Sequence, residues 1–133
     1  MAQSPIREYD AKRMFAEYTH KKYDGSLIET EADMVRFFTK DSQYPEFQDS
    51  RFVIKPDQLF GKRGKYGLVG INLDIHTMHD WWKSHDQKVV QIGRNEGKLS
   101  TFLIEPFVPH TTEYYVAIHT EREYDEILFS SSG

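Results

Sequence analysis

Apolar side chains recur at roughly helical spacing near the start of the chain. Ser4 followed by Pro5 is typical of a helix N-cap and first helical position. We therefore predict a helix over about residues 5–20, interrupted by Asp24-Gly25. The apolar positions that roughly share one face of this helix are Ile6, Met14, Phe15 and Tyr18.

Two further helices are predicted from capping patterns. Thr30, with Asp33 three residues later, resembles a capping box that opens a helix running through Phe38. Thr77 and Asp80 form a similar pattern ahead of the two adjacent tryptophans of the chain, which indicates a third, short helix.

Short β-rich runs bounded by Pro and Gly follow the second helix. The run RFVIK is halted by Pro56, and GRNEGK at 93–98 is typical of a turn. The predicted strands are 51–55, 68–73, 89–92, 101–105, 113–120 and 126–130. Helices first and strands later predict an α+β or mixed α/β fold.

Composition narrows the class of protein. The chain has 133 residues and 38% hydrophobic content, enough for one modest core, so we expect a single unit. It has no cysteine, which excludes disulfides and thiolate metal sites. A net charge of -4 argues against a nucleic-acid partner, and no apolar run approaches the roughly 20 residues of a membrane span. The start lacks a signal-peptide core, so we expect a cytoplasmic protein without a membrane partner.

Positive charge and glycine are concentrated between two predicted strands, in KPDQLFGKRGKYGLVG at 55–70. Glycines allow backbone N–H groups to approach a ligand closely, and cations such as Lys55 and Arg63 donate charge-assisted hydrogen bonds, so the loop could close over phosphates. A flexible hairpin with a solvated basic tip is an equal alternative on the residues alone. The spacing matches neither GxxxxGK[ST] nor GxGxxG.

A second candidate is the segment TFLIEPFVPHTTEYYV, which begins at residue 101. A strand ending in Glu105-Pro106 and continuing extended through Val108 would present unpaired backbone groups beside apolar side chains, as an adenine pocket requires. An ordinary edge strand broken by prolines is the favoured interpretation when this segment is taken alone. Glu113 is a candidate for ribose binding or a solvent-facing residue.

The remaining titratable residues give weaker indications. His76 and His79 are spaced as metal ligands could be, but no third ligand is indicated, and surface histidines are favoured. His110 and His119 lack a visible orienting partner for catalysis. The acids within 121–126 are interpreted as a solvated turn.

Three segments together carry a resemblance to a known family. The runs IREYDAKRMF, VIKPDQLFGKRGKYGLVGINL and FLIEPFVPHTTEYYV closely resemble the N-terminal ATP-grasp region of ATP citrate lyase (ATP-citrate synthase), in its succinyl-CoA-synthetase β-like portion. The resemblance spans roughly residues 6–130. It implies the N-terminal part of an ATP-grasp fold, with short helices followed by a mostly antiparallel sheet. Succinate-CoA ligase β subunits are a more distant match, and a non-catalytic nucleotide-binding module is a further alternative.

The resemblance also implies roles for particular residues in binding ATP. On the phosphate side these are Lys55, Arg63 and Gly64. The adenine hinge would be formed by Glu105, Pro106 and Val108, and the ribose would be bound by Glu113. No catalytic residue is implied within this chain.

The activity implied by the resemblance requires other parts of the enzyme. In the family, ATP phosphorylates a histidine of a succinyl-CoA-synthetase α-like portion, the phosphoryl group passes to citrate, and citryl-CoA is formed and cleaved to acetyl-CoA and oxaloacetate. None of the six histidines here matches that position. Family members continue past the SSSG at 130–133 with a second ATP-grasp subdomain, magnesium-binding acids and the citrate site. We therefore expect a partial ATP-grasp domain that binds ATP weakly and turns over nothing alone, its partner being the α-like and citrate-synthase-like portion.

Overall fold

A computed structural model of the chain describes residues 4–43 and 49–132. Within these residues the helices are α1 (Glu8–Tyr18), α2 (Glu31–Gln43) and α3 (Ile75–His85). The strands are β1 (Ser26–Ile28), β2 (Phe52–Pro56), β3 (Gly70–Leu73), β4 (Val89–Ile92), β5 (Asn95–Lys98), β6 (Phe102–Pro106), β7 (Tyr115–Thr120) and β8 (Asp125–Ser130). No helix in the described part of the chain is long and apolar enough to cross a membrane.

The first two helix starts test the capping patterns. α1 begins later than predicted. Its N-cap is Arg7, which makes no side-chain capping hydrogen bond, so the prediction of an N-cap at Ser4 with Pro5 as the first helical residue was wrong. The capping box of α2 is confirmed. The Asp33 N–H donates to Thr30 Oγ1 at 3.2 Å, and the Thr30 N–H donates to Asp33 Oδ2 at 2.9 Å.

The third helix starts earlier than predicted. Asp74 is its N-cap, and the Thr77 N–H donates to Asp74 Oδ1 at 2.8 Å. Thr77 is therefore a donor in the first turn rather than the cap. Asp74 directly follows β3, so the chain enters α3 without an intervening loop.

The central sheet has four antiparallel strands in the order β1-β6-β2-β3. The sequence pattern did not predict β1, whose three residues are too few to show alternation. β6 lies between β1 and β2, and Lys55 pairs with Leu103 while Val53 pairs with Glu105. The mixed helix and antiparallel-sheet prediction is confirmed.

One face of β2 and β6 forms the core. Phe52, Ile54, Phe102 and Ile104 are at most 2% exposed, and α2 and α3 cover them. Because side chains alternate along a strand, the opposite face carries Lys55 and Glu105. The core thus fixes the strands while the other face remains available for a site.

Two hairpins extend beyond the central sheet. β4 and β5 pair through a two-residue turn with Gly93 at φ +64°, so the residues predicted as a turn at 93–98 include a strand. β7 and β8 form the predicted C-terminal hairpin, in which Val116 faces Phe129 and Ile118 faces Ile127 across the strands. These four residues are 59–70% exposed, so the hairpin presents an apolar surface.

Candidate functional site

The candidate site lies on the face of the sheet opposite the core. Lys55 Nζ is 2.9 Å from Glu105 Oε2, and their side chains are only 16% and 15% exposed. α1 crosses this face and adds Glu8 and Lys12. Lys55 and Glu105, each next to the last residue of its strand, therefore meet beneath a helix.

Five charged side chains form one connected set, which we call the charge cluster: Glu8, Lys12, Lys55, Arg63 and Glu105. Glu8 Oε1 is 2.6 Å from Lys55 Nζ and 2.7 Å from Lys12 Nζ. Glu8 Oε2 accepts from Arg63 Nη2 at 2.6 Å. Glu105 Oε1 accepts from Lys12 Nζ at 2.7 Å. Three cations surround two carboxylates, so the cluster carries one surplus positive charge.

The charge cluster fixes the ionisation of its carboxylates. Burial alone would raise the pKa of Glu8, but hydrogen bonds from Lys12, Lys55 and Arg63 outweigh burial and hold the pKa at about 2. Burial also raises the pKa of Glu105, but hydrogen bonds and charge from Lys12 and Lys55 outweigh burial, so the pKa of this carboxyl is lowered. Both glutamates are thus ionised at neutral pH.

Tyr23 completes the surroundings of Glu105. Its hydroxyl donates to Glu105 Oε1 at 3.0 Å, and burial together with that carboxylate raises the pKa of Tyr23. The phenol therefore stays protonated as a donor. Beside Glu105 and Pro106 lies a cleft of about 380 Å³, with Phe37 and Ile104 among its apolar lining.

The glycine-rich loop contributes one of its cations to the site. Arg63 Nη1 donates to the Pro56 carbonyl at 2.6 Å, which holds the guanidinium against the end of β2. Lys62 and Lys65 are exposed. Gly64 begins a short 3₁₀ turn, and a Cβ added there would meet nothing within 4 Å, so its backbone is open to a ligand.

The segment after β6 is more exposed. Val108 is 69% exposed, and its carbonyl oxygen lies 2.9 Å from His110 Nδ1. His110 Nε2 lies 2.8 Å from Glu113 Oε1. The Val108 carbonyl and, second, Glu113 raise the pKa of His110. His110 thus has an orienting partner that the sequence did not reveal, and the ribose role of Glu113 stays a prediction.

The structure brings together some predicted site residues and separates others. Lys55, Arg63 and Glu105 share the charge cluster, Gly64 directly follows Arg63, and Pro106 ends β6. Val108 and Glu113 lie on the following exposed segment and are linked through His110.

Sequence reasoning missed Glu8 and Lys12. They are spaced i,i+4 on α1, a signal that exists in the sequence but is typical of ordinary surface pairs. A partly buried hydrogen bond ties α1 to the site, since the Tyr9 N–H donates to Oδ1 of Asp57, a residue that is 1% exposed. The Tyr9–Asp57 contact places the first turn of α1 over the end of β2.

The two histidines weighed as metal ligands, His76 and His79, lie beside Phe38 of α2. His79 packs edge-on against Phe38 with ring centroids 4.9 Å apart, and its Nε2 lies 3.8 Å from Glu31. His76 is exposed. His119, weighed for catalysis rather than for metal binding, has its Nδ1 3.7 Å from Glu126 Oε2. Across residues 4–43 and 49–132 no group of three or more acids or histidines is arranged to hold a metal ion.

Lys55, Glu105 and the glycine-rich turn lie on a fold of helices and an antiparallel sheet, and comparison with known proteins identifies this fold as the N-terminal portion of an ATP-grasp domain. The profile of the ATP-citrate synthase ATP-grasp domain family matches residues 2–133. The chain belongs to this family.

Similar proteins carry the same family name. ATP-citrate synthase subunit alpha chain protein 1 of Oryza sativa subsp. japonica is 40% identical over 136 residues, covering 100% of this chain and 33% of that protein. ATP-citrate synthase of Bos taurus is 33% identical, covering 100% of this chain and 13% of that protein. The chain thus spans a third or less of these relatives.

Solved structures agree with the family. The structure of ATP citrate lyase from Methanothrix soehngenii in complex with citrate and coenzyme A superposes with a TM-score of 0.80 at 41% identity. The match covers 99% of this chain and 33% of that chain.

Proposed function

We propose that this chain supplies the phosphate-holding wall of the ATP site of ATP citrate lyase. The observation that carries the proposal is the convergence of Lys55 and Arg63, from different elements, on one carboxylate at 2.6 Å each. Carboxylate oxygens at this position stand in chemically for phosphate oxygens, because both accept charge-assisted hydrogen bonds from the same donors. The residues present therefore fit a polyphosphate.

The residues have distinct roles under this proposal. Lys55 and Arg63 neutralise and orient the phosphates, and the open backbone at Gly64 approaches them. ATP supplies the phosphoryl group when bound, while these side chains position charge without forming covalent bonds. The adenine hinge and ribose contact are assigned to Glu105, Pro106, Val108 and Glu113.

The complete assembly converts citrate, CoA and ATP to acetyl-CoA, oxaloacetate, ADP and phosphate under this proposal. The phosphohistidine belongs to a succinyl-CoA-synthetase α-like portion, joined with a citrate-synthase-like portion, and no catalytic residue is assigned to this chain. The citrate and coenzyme A complex of the Methanothrix enzyme supports this assignment of substrates. Magnesium ligands are assigned to parts of the enzyme other than the residues described here.

Calorimetric titration of the chain with ATP tests the site. Lys55→Met and Arg63→Met should each weaken ATP binding about tenfold or more, since each removes a charged donor. Lys83→Met, at an exposed position on α3, is the matched control and should bind ATP as the parent does. Absence of ATP binding by the parent, or equal binding by all four proteins, would contradict the proposal.

The reaction is tested in the complete enzyme. Lys55→Met there should abolish ADP formation that depends on citrate and CoA. If succinate rather than citrate supports ADP formation by the parent, the enzyme is a succinate-CoA ligase instead. If ATP binds but no acid supports ADP formation, the chain is a non-catalytic nucleotide-binding module.

A further inference from the structure

Glu8 occupies the position between the cations that the proposed function assigns to phosphate. We propose that Glu8 is an internal competitor that ATP phosphates must displace, so that this residue sets the affinity of the site for polyphosphates. The inference rests on the proposed function and adds to it a residue that limits binding.

The geometry pairs each cation with a carboxylate before any ligand arrives. Glu8 Oε1 bridges Lys12 and Lys55, and Glu8 Oε2 accepts from Arg63. Arg63 is also bonded to the Pro56 carbonyl, and Lys55 also contacts Glu105. A phosphate group that accepts the hydrogen bonds that Lys55 and Arg63 now donate to Glu8 would replace the Glu8 carboxylate.

Charge makes simultaneous occupancy unfavourable. The three cations hold the pKa of Glu8 at about 2, so the carboxylate is ionised across the physiological range. Placing phosphate oxygens beside it would bring like charges within a few ångströms in a partly buried space. The three cations exceed the two carboxylates by one positive charge, which is too small to neutralise a triphosphate as well.

The location of Glu8 makes its release feasible. Glu8 is the first residue of α1, and no residue of this fully described helix is buried. The side chain is 22% exposed, so rotation about its own bonds can carry the carboxylate toward solvent. Displacement therefore costs the ion pairs without requiring the core to open.

Competition predicts which ligands are affected. A ligand that takes the donors that Lys55 and Arg63 now give to Glu8 must displace Glu8, whereas a ligand without phosphates need not. Glu8→Gln should therefore tighten binding of ATP and of inorganic tripolyphosphate by a similar factor and leave adenosine binding unchanged.

The experiment is calorimetric titration of the parent and variants with ATP, sodium tripolyphosphate and adenosine. Glu8→Gln should bind both phosphate ligands about tenfold more tightly, a typical size for coupling between competing groups. Glu17→Gln, on the same helix with a side chain 78% exposed, is the matched control and should behave as the parent. When Lys55→Met is also present, Glu8→Gln should increase the affinity for phosphate ligands by a smaller factor, because the competition acts through that lysine.

The outcomes separate this inference from the proposed function. Unchanged or weaker phosphate binding by Glu8→Gln overturns the inference, and weaker binding would make Glu8 a positioning residue for Lys55 and Arg63. If the parent still binds ATP in a Lys55-dependent manner, the proposed function stands. If neither parent nor Glu8→Gln binds any phosphate compound, both fail.

A second measurement does not depend on folding of the variant. In the parent, the carboxyl ¹³C signal of Glu8 should shift when tripolyphosphate is added, because the carboxylate loses its partners. The Glu17 carboxyl signal should stay in place. A Glu8 signal that stays unchanged while tripolyphosphate binds at Lys55 overturns the inference.

Discussion

Glu8 is expected to make the folding stability of this chain sensitive to acid. Its pKa is held at about 2 against an ordinary value of 4.5. A carboxyl whose pKa is lowered by folding stabilises the folded state above its unfolded pKa, and that stabilisation is lost as pH falls toward the folded pKa. The window for loss therefore runs from about pH 4.5 down to about pH 2.

The magnitude follows from the pKa difference and the exposure of the side chain. Each unit of difference corresponds to about 1.4 kcal/mol, so the unscreened contribution at neutral pH would be about 3 kcal/mol. The Glu8 side chain is 22% exposed, so solvent screening reduces this contribution. We expect about 1–2 kcal/mol after that discount.

Urea unfolding at pH 7 and pH 3 measures this contribution. The parent should lose about 1 kcal/mol more unfolding free energy between the two pH values than Glu8→Gln does, because glutamine cannot titrate. Glu17→Gln should follow the parent. Carboxyls with lowered pKa elsewhere, such as Asp33 and Asp74, are present in all three proteins and cancel in the comparison. If the parent and Glu8→Gln lose the same unfolding free energy between pH 7 and pH 3, the reasoning is refuted.

Three further predictions concern the fold. Thr30→Ala removes the N-cap side chain of α2 and should lower the unfolding free energy by about 1 kcal/mol in urea titrations. Gly70→Ala would place a Cβ 2.9 Å from Ile54 Cγ2 and should cost about 1–3 kcal/mol. A Cβ at Gly61 would have nothing within 4 Å, so Gly61→Ala should hardly change the unfolding free energy. Equal melting temperatures for Gly70→Ala and Gly61→Ala would contradict the close packing at Gly70. Ile118→Lys on the exposed hairpin should change the stability of this chain by less than about 0.5 kcal/mol, and a larger loss would show that this face is packed.

The sequence pattern predicted the elements whose signals are local. Strands β2 and β6 carry near-continuous apolar runs ended by proline, and the capping box of α2 depends on residues three apart. β1 and β5 escaped prediction because three- and four-residue strands, one of them polar, are specified by their partners rather than by their own periodicity.

The site shows the same division. Lys55, Arg63 and Glu105 were proposed as site residues from their motifs, whereas the helix that covers them was predicted from Ser4-Pro5 and its apolar positions. Those apolar positions include Phe15, which is 70% exposed, whereas the charged side of α1 faces the sheet. Sequence periodicity could not reveal that α1 packs through its charged side. The charges of β2 and β6 that attract this side come together only in the folded sheet.

The central claim is that Lys55 and Arg63 form a phosphate site, and an NMR titration of the ¹⁵N-labelled chain with ATP tests it most directly. We predict that the backbone amide signals of Lys55 and Gly64 and the guanidinium signal of Arg63 shift with saturating dependence on ATP. The amide shifts at positions 55 and 64 should be absent in the Lys55→Met, Arg63→Met double variant. Saturable ATP shifts that are confined to other regions, or that persist in the double variant, would contradict the account.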